Sequence, residues 1–142
     1  MKKIILLSAV AAAAIVQAKA QDIKAKQVPA IVKKALMTKY PGATKVSWEK
    51  ENGNFEANWG GKSGEDTSVQ FTPAGAFVEE VDAISVHQLP ASIIQYAKSH
   101  YKNARVTEAG KVTDAKGHKM FEAEIKGKDM LFDEKGNFLK FD

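Results

Sequence analysis

The chain has 142 residues, 27% of them charged, and a formal net charge of +4. It contains no cysteine, which excludes thiol catalysis, thiolate metal sites and disulfide staples together. Lys2, Lys3 and Lys19 stand among the first twenty residues and all 17 acidic residues come after them, so the remaining 18 basic residues nearly balance the acids and no basic stripe suited to nucleic acid is left.

The first segment reads as a secretory signal peptide, residues 1–20. A basic start at Lys2-Lys3 precedes an uncharged apolar run from Ile4 to Val16, and Ala18-Lys19-Ala20 puts small residues at a peptidase site. Cleavage is expected between Ala20 and Gln21. The apolar run is short of the ~20 residues a bilayer-crossing helix needs, so no stable membrane anchor is expected after cleavage. The chain beyond Ala20 is long enough for one domain with a core of its own.

Val28, Val32, Leu36 and Tyr40 recur every four residues and predict a helix with one apolar stripe, opened by Pro29 at its first position and stopped at Tyr40-Pro41-Gly42. The period then changes to two. Val46 and Trp48 alternate with Lys45, Ser47 and Glu49, and Asn52-Gly53 is a hairpin signal of the type I′ kind. Phe55, Ala57 and Trp59 alternate with Asn54, Glu56 and Asn58, and Val69 and Phe71 with Ser68 and Gln70. After a turn at Thr72 to Ala76, a fourth strand is expected over Phe77 to Val81.

The same order recurs. Leu89, Ile93, Ala97 and Tyr101 form a second stripe behind Pro90, ending near Lys102-Asn103. Strands are expected over Arg105 to Val112, Lys119 to Ile125, Asp129 to Asp133 and Phe138 to Phe141. A slide of 61 positions puts Pro29 on Pro90, Tyr40 on Tyr101, Phe71 on Phe132 and Gly75 on Gly136. Phe55-Glu56-Ala57 meets Phe121-Glu122-Ala123 only at a larger shift, as a longer hairpin in the second copy requires. The expected architecture is α+β: a tandem repeat, 21–86 and 87–142, of one helix packed on a four-stranded antiparallel sheet, with the helix covering the apolar face.

The residues Val28-Pro29-Ala30, Tyr40-Pro41-Gly42-Ala43, Val46, Trp48, Phe55-Glu56-Ala57 and Phe132-Asp133-Glu134-Lys135-Gly136-Asn137 give the chain its resemblance to the PepSY-like, beta-lactamase-inhibitor-protein-like family of exported Gram-negative proteins. The resemblance runs from Val28 to Asp142. It implies a tandem helix-plus-sheet fold in the periplasm and a binding or inhibitory role without enzymatic activity or cofactor.

Chemical motifs are sparse. Gly61-Lys62-Ser63 lacks the preceding glycine and following helix of a phosphate loop and reads as a hairpin loop. His87, His100 and His118 lack the spacing of a helical zinc site. Asp133 to Asn137 lacks the twelve-residue spacing of a calcium loop and reads as a turn. No serine stands in a nucleophile elbow. Trp48 and Trp59 share the parity of Phe55 and Ala57, which assigns them to the core rather than to a partner.

There remains the open face of the sheet, carried by Lys45, Ser47, Glu49, Asn54, Glu56, Asn58, Ser68 and Gln70 and continued by Met120, Glu122 and Glu124. The sequence reading assigns binding of an unidentified periplasmic protein or peptide to this face. Its alternative is a small-ligand or metal sensor using His87, Glu79 and Glu80 in a cleft between the copies.

Overall fold

The computed structural model describes residues 20–141; of the expected signal peptide only Ala20 lies among them. The first helix, α1 (Ala30–Lys39), buries Val32 and Leu36, with Val28 just ahead of it, and the second, α2 (Ala91–His100), buries Ile93 and Ala97 behind Leu89. The two stripes are those expected. The helices start one residue later than expected, since Pro29 and Pro90 keep extended ψ values of 142° and 137° and act as the residues before the first turn. Each helix is preceded by a short 3₁₀ turn, Ala25–Gln27 and Val86–Gln88. Among the described residues no helix is long and apolar enough to cross a membrane.

The strands are β1 (Gln21–Ile23), β2 (Ser47–Glu51), β3 (Asn54–Trp59), β4 (Thr67–Phe71), β5 (Phe77–Ile84), β6 (Val106–Asp114), β7 (Lys119–Ile125), β8 (Lys128–Asp133) and β9 (Phe138–Phe141). They form one antiparallel sheet of nine strands in chain order, with α1 inserted between β1 and β2 and α2 between β5 and β6. This corrects the expectation of two four-stranded sheets. Strand β5 runs three residues beyond its expected end, and it pairs with β4 on one edge and with β6 on the other. The unexpected β1 pairs with β2. Its position relative to α1 matches that of Asp82 to Ile84 relative to α2, so the far end of β5 stands to the second helix as β1 stands to the first.

The longer second hairpin has a physical reason. Ala109 to Lys111 pair with Ile84 to Asp82, while Val112 to Asp114 reach on to Val81, Glu80 and Glu79. A hairpin as short as β2–β3 would leave that half of the β5 edge unpaired, and exposed unpaired edges invite association. The turns obey the backbone chemistry of their residues. Asn52 and Gly53 have φ of 48° and 82°, and Lys126 and Gly127 have 54° and 69°, which are the two positive values of a type I′ hairpin.

Helices and sheet enclose two apolar clusters. The first joins Val32 and Leu36 to Trp48, Phe55, Ala57, Val69 and Phe71. The second joins Ile93 and Ala97 to Ala123, Ile125, Met130 and Phe132. Trp48 is buried as expected, and Trp59, half-buried, packs on Tyr40 with ring centroids 5.2 Å apart.

At the seam between the halves, Gly110 is buried opposite Ala83. A Cβ added there would stand 2.6 Å from Val81 Cγ1, and a β-branched side chain has few rotamers to escape into. Gly110→Ala should therefore cost about 1–3 kcal/mol in urea unfolding, although alanine is otherwise the better strand residue. An unchanged urea midpoint would show that Val81 moves aside freely.

Candidate functional site: an acidic cleft on the open sheet face

The side of the sheet away from the helices holds a cleft of ≈ 370 Å³ that spans both halves. Strand alternation places its walls. From the first half come Glu49, Glu51, Glu56, Asn58, Ser68 and Gln70, with Glu65 from the β3–β4 loop; Glu79, Val81 and Ala83 of β5 form the middle; Glu108, Gly110, Glu122, Glu124 and Asp129 close the far side. Nine of the lining side chains are carboxylates, and no described lysine or arginine lines the cleft. A chain with nearly balanced charges has gathered its acids on one surface.

Register brings these acids together. Asp22 lies opposite Glu49, and Glu49 opposite Glu56, across β1, β2 and β3. Glu108 lies opposite Glu124, and Glu124 opposite Asp129, across β6, β7 and β8. Side chains directly opposite on neighbouring strands stand about 5 Å apart, where like charges are destabilising. Neutral donors relieve part of this: Gln70 Nε2 donates to Glu56 Oε2 at 3.1 Å and to Glu51 Oε2 at 3.5 Å, and Thr107 Oγ1 donates to Glu124 Oε1 at 2.6 Å. Asn58 is buried and accepts a short hydrogen bond from the Ser68 hydroxyl.

Glu49 feels this crowding of acids. Its partial burial, the charge of Glu56, its hydrogen bond to Asp22 and the charges of Asp22 and Glu65 push its carboxyl up to about 7.

Of the residues expected on this face, Glu49, Glu56, Asn58, Ser68, Gln70, Glu122 and Glu124 line the cleft. Lys45 does not belong to the face: it precedes β2 with a φ of 53°, outside the extended region, so strand alternation starts only at Ser47. Ser47 and Asn54 sit at the two ends of the β2–β3 hairpin, where they pair with Asn58 and Glu51, and they lie outside the lining together with Met120. Glu51, Glu65, Glu108 and Asp129 were not expected here, and Glu79 was expected only in the alternative site. All of these but Glu65 sit at strand positions with the parity of the open face, and that signal was present in the sequence.

The alternative constellation does not assemble. Alternation sends Glu79 into the cleft and Glu80 to the helix side, where it accepts a hydrogen bond from Tyr40 Oη at 2.7 Å. Burial and that bond drive the Tyr40 hydroxyl upward. His87 is exposed in the second 3₁₀ turn, and no metal-competent group of three ligating side chains occurs among the described residues. The Asp133 carboxylate is used within its own turn: Oδ1 accepts from the amides of Lys135 and Asn137, both at 2.9 Å, and Oδ2 from the Asn137 side chain at 3.0 Å. Asp114 builds the same turn with Lys116 and His118.

The profile of the family described as "Putative beta-lactamase-inhibitor-like, PepSY-like" matches residues 14–60 and 58–140. The chain belongs to this family. Among solved structures, a "putative periplasmic" protein of Bacteroides eggerthii is 23% identical over 81% of this chain and 88% of its own, with a TM-score of 0.65. A DUF2874 family protein of Bacteroides uniformis is 23% identical over 80% and 88%, with a TM-score of 0.64. A BLIP-like protein of Bacteroides fragilis is 22% identical over 79% and 83%, with a TM-score of 0.56. At these identities the likeness establishes the fold. The comparison with curated proteins finds no match.

The Glu49 geometry fixes a pH dependence. The unfolded carboxyl releases its proton near 4.5 and the folded one near 7, so between these values the folded state holds the extra proton and raising the pH lowers stability. The expected result is that Glu49→Gln removes one component of the fall in urea midpoint between pH 4.5 and 7 and is more stable than the parent at pH 7.5. Parallel curves for the two proteins would contradict it.

Proposed function

We propose that this chain is a periplasmic, non-enzymatic binding protein that engages a protein or peptide through the open face of its sheet, in the manner of an inhibitor-like module. In this reading residues 1–20 are a signal peptide, and 21–86 and 87–142 are two copies of a helix-plus-sheet unit that present one surface together. The observation that carries the reading is the cleft. It crosses from one half to the other and its lining is rich in carboxylates, so the partner contacts it with lysine- or arginine-bearing segments. Complementary charge of this kind steers association and selects partners more than it adds affinity. Family membership and the periplasmic descriptions of similar structures support the compartment.

The test is affinity capture. The mature chain, tagged at its C-terminus and mildly cross-linked in its native cells, should co-purify one near-stoichiometric protein, and a variant with Glu49→Lys and Glu56→Lys, shown by circular dichroism to be folded, should lose it. Raised salt should weaken the complex, because exposed charges are screened beyond about 8–10 Å. An empty capture, or a partner that the variant retains, would count against this face.

A further inference from the structure

The row Asp22, Glu49 and Glu56 has a consequence for β1 that does not rest on the binding reading. We propose that β1 is a proton-dependent latch, seated on β2 when the row carries a proton and loosened when all three carboxylates are ionised.

The geometry is unusual for a sheet edge. Strand β1 has three residues and only β2 beside it. Its apolar anchor is Ile23, which lies opposite Trp48 and packs on the first core cluster. Its next side chain, Asp22, stands directly opposite Glu49, which stands directly opposite Glu56. Three carboxylates at adjacent cross-strand positions repel one another when all are ionised. Among the described residues, the other cleft side chains near Glu49 are acidic or neutral: Glu51 along its own strand, Glu65 from the β3–β4 loop and Gln70 beyond Glu56. No described lysine or arginine lines the cleft, and a proton on Glu49 reduces the charge of the row.

The sign is set by linkage. Seating β1 places Asp22 against Glu49 and helps to hold the Glu49 proton, so closing takes up a proton and opening releases one. The latch is therefore tightest below the pH at which Glu49 titrates in the open form, where Glu56 and Glu65 still face it, and loosens from there up to about 7, where Glu49 in the closed form titrates. Above that value the effect levels off. Opening would bare the outer edge of β2 and the flank of Trp48 while leaving β3 to β9 paired.

Amide hydrogen exchange, corrected for intrinsic rates, tests this on the mature chain between pH 5 and 8. The opening constant read at the Asp22 and Ile23 amides should rise roughly tenfold, the equivalent of one unit of coupling, while amides of β3 and β4 keep their protection. Glu49→Gln and Asp22→Asn should each flatten the rise. A pH-independent opening of this segment, a loss of protection shared equally by the whole sheet, or a rise that survives in both variants would overturn the proposal.

Discussion

Strand β5 is the constraint on which the rest of the molecule depends. Its eight residues, Phe77–Ile84, exchange backbone pairs with β4 on one side and β6 on the other. It closes the first half and opens the second, so two helix-plus-sheet units that each bury their own apolar cluster are held in one continuous ladder. A flexible linker would let the halves drift. A shared strand fixes their angle and the surface between them, because displacing it would break hydrogen bonds on both edges. The cleft lies astride this strand, with Glu79, Val81 and Ala83 in its middle.

The two faces of the sheet have opposite chemistry. On the helix side the cost of ordering the chain is offset by burying Phe71, Phe132, Ile125 and Met130 almost completely. On the other side carboxylates are stacked in register, an arrangement that costs stability, and Gln70, Thr107 and the Glu49 proton relieve part of that cost. Placing several acids where local stability argues against them fits the cation-bearing partner proposed for this face. The like-charge rows at the two ends, Asp22–Glu49–Glu56 and Glu108–Glu124–Asp129, also separate two roles. The first sits against a three-residue edge strand and can act on it, whereas the second lies between long strands.

Much of the fold was legible in the residues because the signals are local. The four-residue stripes of the helices, the Asn52-Gly53 turn and the strand alternation each depend on a few neighbours. The single sheet was not legible, since whether β5 pairs with one neighbour or two is decided by distant chain across the intervening α2. Strand β1 was too short to show any alternation in Gln21-Asp22-Ile23. Lys45 was misassigned because its left-handed backbone leaves no mark in a period-two pattern. The cleft stands between these cases. The parity of Glu49, Glu56, Glu122 and Glu124 put them on the open face from sequence, but the convergence of nine acids needed the register of seven strands, and the near balance of 18 basic and 17 acidic residues after position 20 concealed it.

Cooperativity is the most direct test of a frame built on a shared strand. Trp48 and Trp59 both lie in the first half, so tryptophan fluorescence reports that half alone while far-ultraviolet circular dichroism reports both. The measurement is equilibrium urea unfolding of the mature chain monitored by the two signals in one sample. If β5 couples the halves as described, the two curves coincide with one midpoint and one slope. A fluorescence transition clearly separated from the circular dichroism transition would mean that the halves melt independently, and that β5 does not hold them as one sheet.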